Sequence, residues 1–267
     1  MHNTLADGAG AVLAAAAPAE KVALSRAAAA AWQSGATTEI GHGAPPDRPA
    51  RPARPLLLPP RDMPRRRAGG SAAGRIALLH ALAHIELNAI DLAWDIVARF
   101  TGEGLPRAFY DDWVAVAAEE AKHHALVAAR LAELGAGYGD LPAHDGLWEA
   151  ALATAHDVLA RLAVVPLVLE ARGLDVTPAM IARLGRFGDT ASAAVLQVIY
   201  DDEIGHVAAG LRWFTRLCAE RGSEPVATYQ QLVRRHFRGA LKPPFNHSGR
   251  DAAGLAEHYY APLSATF

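Results

Sequence analysis

A chain of 267 residues with 51 % hydrophobic content is long enough to bury one good core and a small appendage. Its formal net charge of −2 excludes a global electrostatic pull toward nucleic acid or membrane. The lone Cys218 excludes an intrachain disulfide and suits a reducing compartment.

Residues 11–17 (AVLAAAA) are apolar but short. They lack a basic lead-in and run into Pro18, Glu20 and Lys21, so they read as part of a small helix rather than a signal peptide. No apolar run approaches membrane-spanning length, and the expected location is cytoplasmic. Residues 4–34 read as one or two alanine-rich helices ending at Gly35, inside an N-terminal segment 1–42. Residues 43–67 then carry eight prolines and seven arginines, an extended linker that is neither helix nor strand and reaches about residue 70. This arm either lies solvated on the core or offers Arg48, Arg51, Arg54 and Arg65–Arg67 to a polyanion.

From about residue 73 the pattern is helical. The first long helix runs to Thr101 and stops at Gly102; the second covers Arg107 to Leu134 and stops at Gly135. A third begins after Asp145 as N-cap and ends at Gly173. A short helix follows Thr177-Pro178, a cap and first-turn pair, and ends at Gly188. The next runs from Thr190 to Arg221, between Asp189 as cap and Gly222 as stop. A last helix covers about 225–238, followed by the irregular LKPPFN segment and a tail at 248–267. The expectation is an all-α four-helix bundle over 71–247, with extra N- and C-terminal helices and no strand.

One pattern occurs twice in this bundle. Glu86 is followed 34 residues later by Glu120-Ala-Lys-His123, and Glu170 is followed 33 residues later by Glu203-Ile-Gly-His206. Residues three apart share a helix face, so each Glu-x-x-His can present a carboxylate and an imidazole to one ion. Two such pairs plus two lone glutamates form the ligand set of a di-iron or di-manganese carboxylate bundle. The set carries charge −4, suits two divalent cations, and leaves positions open for O2, peroxide or substrate. Mixed oxygen and nitrogen donors without thiolate favour Fe or Mn over structural zinc.

Helix rise gives a check. Glu86 lies 15 residues from the end of its helix and Glu120 lies 13 into the next, depths of roughly 22 and 20 Å, so an antiparallel hairpin brings them level. The connector from Gly135 to Asp145 can stretch to roughly 36 Å, enough to cross a bundle end to end. Glu170 is placed less regularly, three residues before Gly173. The expectation is a break at Gly173, with a redirected segment 174–188, a kink at Pro166 and an opening toward the metals.

Neighbouring residues are weighed against plainer roles. Glu119 competes with Glu120 for ligation, since Glu119 and His123 are also helix neighbours; Glu120 is preferred because it mirrors Glu203. Glu119 and Asp202 either face solvent or each accept a hydrogen bond from the opposite histidine. His84 is about 200° round the helix from Glu86, so His80 and His84 read as packing or surface residues. His124 reads as exposed. Trp94, Trp113 and Trp148 read as core. Tyr200, one turn before Glu203, reads as packing with a redox or substrate-positioning role as the alternative. Arg172 reads as surface, or as neutralising a carboxylate or anionic substrate. Arg234, Arg235, Arg238 and Lys242 make a basic patch whose default is solvated surface.

The stretches HIELNAIDLAWD, EEAKHH, RLAVVPLVLEARGLDVTP, IYDDEIGHVAAG and FRGALKPPFN resemble the bacterial ferritin-like family called domain of unknown function 455, over roughly residues 70–247. A more distant resemblance is to the non-haem di-iron tRNA hydroxylase. These resemblances imply a di-metal carboxylate fold in which Glu120 and Glu203 bridge the metals. Glu86, Glu170, His123 and His206 are then terminal ligands. Neither resemblance accounts for the Arg/Pro arm.

The leading functional expectation is an O2-dependent oxidase or oxygenase using two Fe ions, with Mn as the alternative, on a small molecule or a modified base. Such an oxygenase needs an external electron donor. Ferroxidase or storage, manganese catalase, and a non-enzymatic helical module are the competing readings. Binding of RNA and a homodimer stay open as partners; a membrane does not.

Overall fold

The computed structural model describes residues 3–64 and 70–264, so Arg65–Arg67 lie outside the described residues. Every regular element among the described residues is helical, and the chain is all-α; β pairing is limited to two isolated bridges, Leu57 with Ala143 and Leu241 with Ser264. The chain divides into two compact units, Met1–Trp148 and Glu149–Phe267.

The first unit contains α1 (Leu5–Ala14), α2 (Pro18–Gln33), α3 (Ala72–Arg99) and α4 (Arg107–Glu133). Thr4 and Asp7 close a capping box on α1, Pro18 sits in the first turn of α2, and the Ser71 hydroxyl accepts from the Gly74 amide to cap α3. α3 packs along α4, while α1 rests on α3 and α2 on α4. Trp94 and Trp113 are fully buried between them. By length and composition α3 could cross a membrane, contrary to the expectation that no stretch approaches that length. However, 67 % of its apolar window is buried, as befits a core helix.

The Pro/Arg arm is pinned to this unit. Asp91 on α3 is fully buried and takes two cations: Lys21 Nζ from α2 at 2.5 Å, and the Arg51 guanidinium from the arm on its other oxygen. Arg51 also donates to Asn88 Oδ1 at 2.6 Å, and Arg48 pairs with Asp145. Burial pulls Lys21 down and Asp91 up, with the ion pairs working against both shifts. Arg51 is therefore committed to the core rather than to a polyanion.

The connector after α4 is fastened by the two α3 histidines. His80 Nε2 accepts from the amides of Gly139 and Leu141. His84 bonds the Tyr138 hydroxyl through Nδ1 at 2.9 Å and the His144 carbonyl through Nε2 at 3.0 Å. Both histidines are packing residues, as their helix angle implies. His124 departs from expectation: it is 3 % exposed, with Nδ1 2.9 Å from the Ala83 carbonyl oxygen. A polar side chain with one good backbone acceptor can be buried, and periodicity alone did not reveal that acceptor.

The chain enters the second unit through α5 (Gly146–Ala153). There follow α6 (Val158–Val164), a π-helical segment (Val165–Glu170), α7 (Ala171–Arg186), α8 (Thr190–Glu220), α9 (Pro225–His236), α10 (His247–Ala252) and α11 (Glu257–Tyr260). The expected single helix over 146–173 is wrong at both ends. It breaks early, at 154–157, where Asp157 caps α6 through the Leu159 amide and Arg161 donates to Ala151 O at 2.8 Å. It then runs unbroken through Gly173, so the proposed break and redirection there are refuted.

Local chemistry explains the continuity. Pro178 cannot donate to the carbonyl of Leu174, four residues back, and the Asn246 side chain donates to that oxygen instead at 3.0 Å. Pro166 does perturb its helix, as a π bulge. At its end the Ala171 amide bonds the carbonyl of Pro166, five residues back, and the Leu167 carbonyl left over accepts from the Tyr229 hydroxyl at 3.1 Å.

Candidate metal centre

In the first unit, facing turns of α3 and α4 bring Glu86, Glu120 and His123 together, 3 %, 0 % and 0 % exposed. Each offers a ligand atom within 4.8 Å of the others. His123 Nδ1 lies 3.3 Å from Glu120 Oε2 and 3.6 Å from Glu86 Oε2. In the second unit, Glu170 at the last residue of the π segment meets Glu203 and His206 of α8, again within 4.8 Å, with His206 Nδ1 3.8 Å from Glu203 Oε2. Here Glu203 and His206 are buried and Glu170 is half-buried. In both units the histidine turns Nδ1 toward the carboxylates.

This arrangement fits a cation. Two donors bound to one ion at about 2.1 Å stand roughly 3–3.5 Å apart along a coordination edge, close to the separations found here. Glu86 Oε2 is buried without a hydrogen-bond partner, which is costly for a carboxylate unless a cation neutralises it. Burial pushes the Glu86 carboxyl up to about 7, with the nearby His123 pulling the other way. Burial alone would lower His123, but the hydrogen bond to Glu120 and the negative charge of Glu120 and Glu86 outweigh it and raise the imidazole to about 11. Among protein atoms alone, positive charge is drawn to this spot.

The remaining candidates have other settings. Glu120, not Glu119, is the fully buried carboxylate beside His123; Glu119 and Asp202 are half-buried. The half-buried Tyr200 hydroxyl accepts from Asn246 at 3.0 Å. Arg172 donates to the Lys242 carbonyl at 2.6 Å and lies 3.5 Å from Asp175.

Two functional-looking residues escaped the sequence reading: Asp91 and Asp175. Each follows its lone glutamate by five residues, in ELNAID and EARGLD, so the internal repeat is longer than its candidate ligands. Each is buried and holds a guanidinium, Arg51 for Asp91 and Arg250 for Asp175. The shared spacing was the available signal.

Residues 14–261 match the family described as "Protein of unknown function (DUF455)". The chain belongs to that family. It is also 44 % identical over 214 residues to a protein of Haemophilus influenzae described as "Uncharacterized protein", covering 78 % of this chain and 73 % of that one. No solved structure matches it.

Proposed function

We propose that the two Glu plus Glu-x-x-His triads together hold a pair of iron or manganese ions in a ferritin-like four-helix bundle. In this reading the protein is an O2-dependent oxidase or oxygenase of the hydroxylase type, acting on an organic substrate. The observation that carries the reading is duplication. Each unit gathers one lone glutamate and one Glu-x-x-His into a cluster spanning no more than 4.8 Å, with Nδ1 of the histidine facing the carboxylates.

The bound pair would supply activation of O2 and oxidation of a C–H or N–H bond. The protein's own residues do the rest. Glu86, Glu120, Glu170, Glu203, His123 and His206 would hold the pair, and the four carboxylates would balance two divalent charges. Glu119 and Asp202, each one residue before a motif glutamate, would accept from the other ring nitrogen of the opposite histidine and fix its tautomer. Burial of Glu86, Glu120 and His123 keeps bulk water from the ligands.

Elemental analysis of the full-length protein from iron- and manganese-replete cells tests this. About two Fe or Mn per chain are expected, and Glu120→Ala and His206→Ala should each abolish that content. Purified protein with neither metal, or variants that keep both ions, would overturn the reading.

A further inference from the structure

The second unit holds a cavity of about 360 Å3 lined in part by Val168, Leu169, Phe237, Leu241 and Phe245. We propose that it binds a small amphipathic carboxylate, and that this carboxylate is the organic substrate of the reading above, on which the assignment rests.

The charge of the lining selects an anion. Four cations, Arg172, Arg238, Lys242 and Arg250, face a single carboxylate, Asp175. That carboxylate is already engaged: Arg250 Nε and Nη2 donate to its two oxygens at 2.8 and 2.7 Å. Arg250 is 2 % exposed, and its remaining Nη1 is buried without a hydrogen-bond partner. A buried guanidinium donor without an acceptor is costly, so Arg250 keeps a hydrogen-bonding capacity that Asp175 does not use. The guanidinium is also fixed in place, its Cζ 4.3 Å from the Tyr260 ring centroid and 5.1 Å from that of Phe245.

Size and position narrow the class. At about 30 Å3 per non-hydrogen atom the space takes on the order of a dozen such atoms, too few for a nucleic acid and suited to an aliphatic or aryl acid. The apolar side chains receive the body, and Arg172, Arg238, Lys242 and Arg250 supply the positive surroundings of the head. Arg172 ties down the Lys242 carbonyl, so the loop forming one wall is held rather than free. Val168 and Leu169 belong to the π segment that ends in Glu170, so a ligand here packs on the same turn that carries a metal ligand.

The test is a calorimetric titration of the full-length, metal-loaded protein with decanoate and with 1-decanol, beside the visible absorption of the metals. Decanoate should bind at least about tenfold tighter than decanol, given charge-assisted hydrogen bonds of about 1.5–3 kcal/mol. It should also shift the metal absorption at saturation. Ala240→Trp, which fills the cavity from an exposed position, should weaken decanoate at least about tenfold. Arg250→Lys should weaken it severalfold while circular dichroism stays helical. Inorganic phosphate should not compete.

Equal affinity for decanol, indifference to Ala240→Trp, or competition by phosphate would overturn the carboxylate site. Decanoate bound with an unmoved metal spectrum would overturn its assignment as substrate. Metal content in the same sample separates the two ideas: fewer than two ions with decanoate selectivity intact would sink the metal reading alone.

Discussion

The two units solve one problem with different backbones. In the first, Glu86, Glu120 and His123 sit on two long helices, α3 and α4, that run past the site without interruption. In the second, Glu203 and His206 ride an equally uninterrupted α8, but Glu170 arrives at the end of a π bulge. The lesson is that a ligand can be delivered to a set position either by register along a straight helix or by one inserted residue. The second solution leaves a spare carbonyl, Leu167 O, which Tyr229 must satisfy. It also requires room: a Cβ added to Gly210 would lie 2.5 Å from Pro166 Cβ. Both units then repeat a buried Asp five residues on, clamped by cations from outside the long helices.

That parallel can be broken, starting with the clamps. Asp91→Ala leaves Lys21 buried without its acid, and Asp175→Ala does the same to Arg250. Each should cost about 3–5 kcal/mol in urea denaturation, the loss expected when one partner of a buried pair is removed. A loss below about 1 kcal/mol in either would show that the two clamps are not equivalent.

Acid should distinguish the units through His84. Burial lowers this imidazole from 6.5 to about 4. Between those values the unfolded chain takes up a proton that the folded chain refuses. His84 therefore removes stability progressively as pH falls from about 6.5 to 4, about 3 kcal/mol in full, with nothing further lost below. His84→Gln should flatten the stability–pH curve in that window, as read by denaturant midpoints at each pH.

Gly210→Ala should cost about 1–3 kcal/mol by overpacking against Pro166, and combined with Pro166→Gly, which removes the opposing Cβ, it should cost less than the sum of the two single losses. Thermal melts of the single and double variants would check it; additive losses would mean the two sites do not touch. Least affected is the exposed Arg216–Glu220 pair of α8, where Arg216→Ala should change stability by no more than about 0.5 kcal/mol.

Much of this architecture was legible in the sequence. The long helices expected at about 73–101, 107–134 and 190–221 are found at Ala72–Arg99, Arg107–Glu133 and Thr190–Glu220, because Gly and capping residues mark their ends unambiguously. The error fell between 146 and 188. Gly173 reads as a stop, but a glycine inside a helix costs only about 1 kcal/mol, and packing outweighs that. Thr177-Pro178 reads as a start, but Asn246, far away in sequence, supplies the donor that proline withholds. Asp157 was the true cap and lay unnoticed inside an apolar run. At the site, spacing alone named the six residues that fall into the Glu/His groups able to hold a cation. Their partners were not: Lys21, Arg51 and Arg250 reach their aspartates from 70, 40 and 75 residues away, and helical periodicity carries no information at that range.

The clamps bear on where this protein can be cut. A fragment trimmed to 71–247, the span that motif spacing marks as the bundle, would discard Lys21, Arg51 and Arg250 together, stripping Asp91 of both its cations and leaving Asp175 only the half-exposed Arg172 at 3.5 Å. Such a truncation should be insoluble or unfolded even with every candidate metal ligand present, so the outer segments belong to the smallest piece that can stand alone.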